Sequence, residues 1–352
     1  MNEVSNNFKW QSIEAPAKIN LSFDVVGRLP DGFHEIKSLV TPISIHDTLS
    51  AALSPQLTLK VQIPQEQKFQ RLFAGKRIPE DESNLVLKAA KTLQRAMKER
   101  TTSTPQPEKL SGATIILTKR IPAEAGLGGG SSDAAAVLIL LNDLWQAGFS
   151  RDELMKFGAQ LGSDVPLFLK DFPVICRGRG EILERIPDGK TFPTLHFVVV
   201  KPSQGCSTPE VYRRCQPTGN QDEHFLKQMI LSWKENRLTD LARGMKNALL
   251  APAMELSSDV KLLMSSFREM PDPCLGYSMT GSGSACFGLC RNQAHAIKAA
   301  NFFEHHYSGT VFVVETKLSP LAVPGSIRSG SGTGGNLSEN HRSTHQTDGR
   351  VR

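Results

Sequence analysis

The chain has 352 residues, of which 39% are hydrophobic and 22% charged, a composition typical of a folded protein with room for two domains. Its net charge is +6, but the basic residues are scattered among acidic ones, so we expect no nucleic-acid partner. No apolar run approaches the length of a membrane-spanning helix, and residues 1–10 lack the features of a secretory or transit peptide. The six cysteines contain no C-x-x-C pair and are expected to be reduced and mostly buried, which favours a cytoplasmic protein without a membrane partner.

Strands are predicted to dominate the beginning of the chain. Residues 11–63 alternate apolar and polar side chains, and they are interrupted by a turn at residues 29–32, where proline and glycine set the backbone. The elements predicted next are a helix at 85–100, a polar loop at 101–107 and a strand at 114–119.

Two helices are predicted in the middle of the chain. The segment from Ser131 to Trp145 is apolar on nearly all sides, which is typical of a central core helix. Ser150 followed by Glu153 forms a capping-box pattern and predicts a second helix that ends near Gly162.

The second half of the chain predicts a mixed arrangement of strands and helices. The expected elements are strands at 174–184 and 195–201, helices across 208–270, and a strand–helix–strand unit ending near Lys317. Residues 324–352 are rich in glycine, serine and polar residues, so we expect them to be disordered. The predicted organisation is a domain at 8–170, a second domain at 171–323 and a tail at 324–352.

A glycine-rich loop at residues 121–132, here called the first glycine loop, carries the strongest functional signal. It opens directly into the apolar helix, and glycine allows backbone N–H groups to turn toward one anion. The helix start adds a partial positive charge, and Ser131 and Ser132 add hydroxyl donors. The loop has neither the Walker A lysine nor the dinucleotide-binding glycine spacing. It predicts a phosphate-binding site, with a flexible turn before a core helix as the alternative.

Three further features are candidates for chemistry. Residues 279–285, the second glycine loop, alternate glycine and serine before an apolar strand and form either an anion-binding turn or an ordinary strand entry. Asp164 lies among apolar residues and is either a positioned proton acceptor or a turn-forming residue. Lys18 lies within a predicted strand, where it either extends its amine to solvent or stabilises a developing alkoxide beside an aspartate.

These features, taken in order, resemble the GHMP small-molecule kinase superfamily. The resemblance covers residues 10–322, and the motifs that carry it are residues 15–21, 28–34, 126–135, 161–168 and 279–286. It implies a two-domain α+β fold with the active site in the cleft between the domains. It also implies ATP and Mg²⁺ as cofactors, and phosphoryl transfer to an alcohol of a small-molecule substrate.

The resemblance also implies roles for individual residues. Asp164 takes the hydroxyl proton of the substrate, Lys18 stabilises the same oxygen, and Asn20 helps to hold the substrate. Phe33 and His34 match an aromatic–histidine pair that receives a cytosine, so the implied substrate is a cytidine diphosphate-linked methylerythritol.

The two glycine loops are assigned in the same way. Gly281 and Gly283 are implied to bind the substrate at its diphosphate or at the transferred group. The residues implied to bind ATP are Gly126, Leu127, Gly128, Gly129, Gly130, Ser131 and Ser132. Glu124 and Ala125 depart from the small residues usual in this loop, and the sequence does not assign the Mg²⁺ contacts.

Two classes of alternative function remain open. Another kinase of the superfamily, or the ATP-dependent decarboxylase with the same fold, shares the phosphate-binding features but not the cytosine pair. A sensor that binds nucleotide without turnover keeps the fold, although it does not need Lys18 and Asp164. The sequence is compatible with a monomer or a homodimer.

Overall fold

The computed structural model describes residues 9–101, 112–170, 172–186, 192–217, 219 and 223–324. Most of the predicted loop at 101–107 and nearly all of the predicted tail lie outside these residues. The strands are β1 (Gln11–Arg28), β2 (His34–Ser54), β3 (Thr58–Gln62), β4 (Gly112–Thr118), β5 (Val174–Arg177), β6 (Ile182–Arg185), β7 (His196–Pro202), β8 (Gly276–Met279), β9 (Cys286–Cys290) and β10 (Gly309–Glu315).

Helices are distributed along the whole chain. They are α1 (Gln67–Leu72), α2 (Leu85–Thr101), α3 (Gly129–Leu144), α4 (Arg151–Leu161), α5 (Thr208–Arg214), α6 (Glu223–Lys234), α7 (Leu238–Arg243), α8 (Leu250–Leu256), α9 (Ser258–Arg268) and α10 (Gln293–His306). A 3₁₀ turn at Pro166–Leu169 follows α4. The predicted α+β class is confirmed. None of the helices in the described part of the chain is long and apolar enough to cross a membrane.

The first sheet is organised by the long hairpin of β1 and β2. These strands pair antiparallel from Gln11 with Ala51 to Arg28 with His34. The start of β2 pairs with β5, and its end pairs with β4, so one strand connects both parts of the sheet. The hairpin therefore places residues near its tip and residues in the middle of β1 on one rigid element.

Helix α3 is the central helix of the first half, as the sequence predicts. Its buried residues include the apolar run from Ala134 to Leu138, and these pack with β1, β2, α2 and α4 in one core. The capping box that begins α4 is confirmed, because Ser150 accepts from the Glu153 N–H and the Glu153 side chain accepts from the Ser150 N–H. The packing of α3 in this core holds the start of the helix behind the first glycine loop.

The second sheet is antiparallel, with the strand order β10–β7–β9–β8. The predicted domain boundary at residue 171 does not coincide with the change of sheet. Strands β5 and β6 pair with the first sheet, because Ser38 to Val40 of β2 offers a free edge to residues 174–176. The change falls between Arg185 and His196, and apolar residues from both sheets share one core.

A buried ion cluster lies where β4 meets the start of α3. The Lys119 ammonium is paired with Asp133 at 2.7 Å and with Asp47, and all three side chains are almost fully buried. Burial alone lowers the pKa of Lys119, but the two carboxylates outweigh it and raise that pKa. Burial raises the pKa of Asp133, against the effect of Lys119. Asp47 also accepts from the Ile121 N–H, so the cluster fixes the entry to the first glycine loop.

The Ser150 cap allows a test of this local architecture. Ser150→Ala removes the side-chain acceptor at the start of α4 and is expected to lower the free energy of unfolding by about 1 kcal/mol. Urea unfolding followed by circular dichroism measures the change. Ser258→Ala, at an exposed position in the first turn of α9, is the control and is expected to change stability by less than about 0.5 kcal/mol. Equal effects in both variants would contradict the assigned cap.

Candidate active site

The site is a cleft with a volume of about 1060 Å³ between the two halves of the chain. One wall comes from β1, the first glycine loop and the segment after α4, and the other comes from α5 and the second glycine loop. The lining includes the predicted residues Lys18, Asn20, Phe33, His34, Gly126, Gly128, Ser131, Asp164, Gly281 and Gly283. The structure thus brings together motifs that are far apart in the sequence.

The Lys18 ammonium is buried at the floor of the cleft, where 5% of the residue is exposed. It donates to Oδ1 of Asn20 at 2.7 Å, and the Asn20 amide donates to Oγ of Ser38 at 2.7 Å. Lys18 and Asn20 are two residues apart on β1, so their side chains lie on the same face of the strand. These hydrogen bonds fix the orientation of the Lys18 and Asn20 side chains at the floor of the cleft.

Asp164 also lines the cleft, in a turn closed by a hydrogen bond from the Val165 N–H to the Gly162 carbonyl. Burial lowers the pKa of Lys18, and the negative charge of Asp164 acts in the opposite direction. The Cys176 thiol lines the cleft near both groups, and burial raises its pKa to about 12. The thiol is therefore neutral at neutral pH.

The first glycine loop takes backbone conformations that favour glycine. Gly126 has φ of +71° and Gly128 has φ of +73°, and a Cβ on Gly128 would lie 2.9 Å from the Phe168 ring. The loop is tied to β1 because the Lys18 N–H donates to the Leu127 carbonyl at 3.0 Å. Gly128 is the N-cap of α3, and both Gly128 and Ser131 line the cleft, so the start of the helix lies at the cleft.

Two predicted ATP-binding residues do not reach the cleft with their side chains. Leu127 is 1% exposed and packs in the core. Ser132 is fully buried, and its N–H already donates to the Gly128 carbonyl at 2.9 Å. In the described structure its Oγ is buried without a hydrogen-bond partner, and its contact with a phosphate stays a prediction. Ser131 is the serine of the pair that lines the cleft.

The second glycine loop packs directly against the first. The Ala285 N–H donates to the Ala125 carbonyl at 3.2 Å, and the Thr280 hydroxyl lies 3.1 Å from the Gly126 carbonyl. The Asn247 amide donates to the carbonyls of Met279 and Gly281, each at 2.7 Å. The backbone of the second loop is therefore held at both ends and faces the cleft beside Lys18.

Aromatic and basic side chains form the far end of the cleft. Phe33 is 57% exposed, and the Arg179 guanidinium lies over its ring at 4.3 Å from the ring centre. The His34 and Tyr212 rings are 5.1 Å apart. Burial, together with Arg28, lowers the pKa of His34, so its imidazole is neutral at neutral pH. In the part of the chain that the structure describes, Nε2 of His34 is buried without a hydrogen-bond partner.

Sequence reasoning missed three residues that shape the site, namely Tyr212, Thr280 and Asn247. Tyr212 lines the cleft from α5, but nothing in its local sequence distinguishes it from a core aromatic residue. Thr280 lies within the second glycine loop, but the loop pattern indicates only its glycines and serines and not the contacts of this threonine. Asn247 precedes α8 in a segment without a recognisable motif, so only the folded chain reveals its contacts.

The departures at Glu124 and Ala125 are accommodated without blocking the cleft. Glu124 is an exposed residue of the cleft lining with φ of +52°, and its carboxylate lies close to Gly205. Ala125 is buried in the core between the two sheets. The first glycine loop therefore keeps its opening at Gly126 and Gly128.

Comparison with known proteins identifies the family. Residues 84–171 match the family model described as GHMP kinases N terminal domain, and residues 228–309 match the one described as GHMP kinases C terminal. The 4-diphosphocytidyl-2-C-methyl-D-erythritol kinase of Pelotomaculum thermopropionicum is 38% identical over 288 residues, or 81% of this chain and 91% of the relative. The chain belongs to the GHMP kinase family. The resemblance seen in the sequence motifs is thus confirmed, and the chain is a small-molecule kinase.

Solved structures agree with this assignment. A crystal structure of 4-(cytidine 5'-diphospho)-2C-methyl-D-erythritol kinase is 31% identical to this kinase, with a TM-score of 0.64 and coverage of 87% of this chain and 98% of that chain. The homoserine kinase from Cytophaga hutchinsonii is 18% identical, with a TM-score of 0.65 and coverage of 92% and 100%. At that identity the likeness shows the fold alone.

The contact between the glycine loops can be tested with a matched pair of substitutions. Gly126→Ala and Gly75→Ala both place a Cβ at similar positive φ, but the Cβ on Gly126 would lie 2.1 Å from the Thr280 carbonyl oxygen, whereas Gly75 has open space. Gly75→Ala is expected to cost about 1 kcal/mol of unfolding free energy. Gly126→Ala is expected to cost more and to reduce kinase activity as well, as measured by urea unfolding and by ADP release. Equal losses of stability with intact activity would contradict the loop contact.

Proposed function

We propose that this kinase transfers the γ-phosphoryl group of ATP to the 2-hydroxyl of 4-diphosphocytidyl-2-C-methyl-D-erythritol, a step of the non-mevalonate route to isoprenoid precursors. One observation carries the proposal. A single cleft holds the start of α3, the Lys18 and Asp164 charges, and an aromatic end at which Nε2 of His34 is buried without a partner in the described structure. The names of the relatives at 31–38% identity support the same substrate.

The transfer step uses the two charged groups at the cleft floor. The 2-hydroxyl oxygen attacks the γ-phosphorus, the bond from that phosphorus to the β,γ-bridging oxygen breaks, and ADP leaves. Asp164 accepts the hydroxyl proton, and Lys18 stabilises the negative charge on the attacking oxygen. The hydrogen bond from Lys18 to Asn20 holds the ammonium in place, so little reorganisation accompanies the reaction.

ATP is held by the first glycine loop. The amides at the start of α3 and the hydroxyl of Ser131 bind the phosphates, and the helix dipole favours their negative charge. Gly128, Gly129 and Gly130 contribute backbone N–H groups, and Gly126 allows the close approach. The second glycine loop, through Gly281 and Gly283, closes on the phosphoryl group or the substrate diphosphate.

Mg²⁺ accompanies ATP in this proposal. Mg²⁺ in kinase sites is usually held by one or two protein oxygens together with substrate phosphates and water, rather than by a full protein cage. A hydroxyl oxygen at the start of α3, beside the proposed phosphate site, fits that pattern. Ser131 lines the cleft at the helix start and is the residue that would hold the ion. When bound, the ion would supply positive charge that offsets the charge of the phosphates.

The far end of the cleft recognises the cytosine. Phe33 presents an exposed ring for stacking, and Tyr212 packs beside His34 on the other side. The base edge supplies the hydrogen-bond partner that Nε2 of His34 lacks in the described structure. We place the reaction in the cytoplasm, carried out by a monomer or a homodimer, without a nucleic-acid or membrane partner.

Asp164→Asn tests the proposed proton acceptor. The amide cannot accept the hydroxyl proton, so kcat is expected to fall by two or more orders of magnitude, on the order of 100-fold or greater. Phosphate transfer from ATP to 4-diphosphocytidyl-2-C-methyl-D-erythritol is the assay. Asp152→Asn, at an exposed position in the first turn of α4, is the control and is expected to retain activity.

The same assay separates the alternative functions. Absence of turnover by the wild-type chain would reject the proposed substrate. Turnover of mevalonate or homoserine would then identify a different kinase. Binding of ATP without turnover of any acceptor would identify a nucleotide sensor.

Phe33 tests the cytosine end independently of the transfer step. Phe33→Ala removes the stacking surface and is expected to raise KM for the cytidine substrate about tenfold while kcat and KM for ATP stay near wild type. Phe33→Tyr keeps the ring and is expected to stay within about threefold of wild type. A fall in kcat without a change in KM would show that Phe33 does not bind the base.

A further inference from the structure

A buried lysine without a role in the proposed mechanism lies behind the two glycine loops. Lys201 stands near the end of β7, and only 1% of it is exposed. Its ammonium donates to the carbonyl oxygens of Pro202 at 2.6 Å and Gln204 at 3.0 Å. Desolvation makes a buried ammonium costly, and such a group is usually paired with a carboxylate. The structure instead pairs Lys201 with the backbone of the segment that follows it.

The Gln204 carbonyl connects Lys201 to the second glycine loop. It also accepts from Oγ of Ser284 at 2.8 Å, and Ser284 is fully buried. The Ser284 N–H in turn donates to the Glu124 carbonyl of the first glycine loop at 3.3 Å. One continuous path of hydrogen bonds therefore runs from the Lys201 ammonium through both glycine loops.

The segment at residues 203–208 touches both loops at two further places. A Cβ on Gly205 would lie 2.7 Å from Oε2 of Glu124, so the backbone there is in close contact with the first loop. The Thr208 hydroxyl lies 2.7 Å from the Ser282 hydroxyl of the second loop. A shift of this segment would therefore move both loops.

The surroundings of Lys201 make its charge sensitive to pH. Burial, followed by repulsion from Lys76, lowers the pKa of Lys201 to about 8, whereas the other charged and titratable groups around it act in the opposite direction. Those groups are Cys206, Glu124 and Asp259. The ammonium is therefore present at neutral pH and is lost as the pH rises through about 8.

We propose that Lys201 is a positioning residue whose ammonium fixes the Gln204 carbonyl and thereby holds the two glycine loops in the arrangement that binds the ATP phosphates. The inference rests on the proposed function for the identity of the ligand. Loss of the proton weakens both hydrogen bonds, because a neutral amine is a poorer donor than an ammonium. The affinity for ATP then falls as the pH rises.

Binding of a non-hydrolysable ATP analogue with Mg²⁺, measured by calorimetry, tests the proposal without any acceptor substrate. Measurements at about pH 7 and about pH 9 bracket the pKa of Lys201. The wild-type Kd is expected to rise about fivefold between them, and Lys60→Gln, which removes an exposed lysine but keeps Lys201, is expected to show the same rise. Lys201→Met is expected to bind about tenfold more weakly at about pH 7 and to lose this pH dependence.

Thermal melting separates positioning from a merely structural role. The folded-state pKa of Lys201 is below its unfolded value, so burial of its charge costs stability below about pH 8, and the cost decreases as the pH rises toward the unfolded value. Lys201→Met removes that cost and is expected to melt no lower than the wild type at about pH 7 while it binds the analogue more weakly. A lower melting temperature in Lys201→Met together with its weaker binding would show a merely structural role and overturn the positioning role.

Lys76→Gln provides a test that leaves the buried position intact. Lys76 is exposed, and its charge lowers the pKa of Lys201, so the substitution is expected to move the midpoint of the pH dependence upward without a change in affinity at about pH 7. A pH dependence of analogue binding that persists in Lys201→Met would belong to another group, such as Lys18, and would overturn the proposal.

A wild-type chain that binds the analogue but does not phosphorylate the cytidine substrate would reject the proposed function alone.

Discussion

The Thr280 hydroxyl joins the first glycine loop to the strand that carries Lys18. It lies 3.1 Å from both the Gly126 carbonyl and Oδ1 of Asn20, and it accepts from the Asn20 N–H at 3.2 Å. These contacts are buried, so their loss would leave polar atoms without water or a partner. Together with the Lys18 N–H bond to the Leu127 carbonyl, this junction sets the placement of the first glycine loop relative to Lys18.

The buried charges in and around the cleft differ in how they are compensated. Lys119 is paired with two carboxylates beneath the start of α3, which makes that region a stable support. Lys18 is hydrogen-bonded to a neutral amide and interacts with Asp164 across the cleft. Because Lys18 is not fully paired, its ammonium can stabilise the negative charge of an incoming oxygen. A lysine already paired with carboxylates would stabilise that charge less.

Local patterns predicted most of the fold and many of the residues that the structure brings together in the cleft. The capping box at Ser150 and the apolar run of α3 are signals contained in short segments, and both are confirmed. The placement of β5 in the first sheet and of Tyr212 beside His34 depends on contacts between distant segments, which no local pattern encodes. The inward orientation of Ser132 follows from the helix phase, which two adjacent serines do not reveal.

The long hairpin of β1 and β2 sets the distance between the two ends of the cleft. Asn20 pairs with Val40, and the path along β2 from His34 to Val40 rises roughly 20 Å at about 3.3 Å per residue. The aromatic end and the reacting end therefore belong to one stiff element and keep a fixed separation. A substrate with a shorter spacer between its base and its alcohol would reach one end only, so selection by length would operate alongside selection by chemical groups.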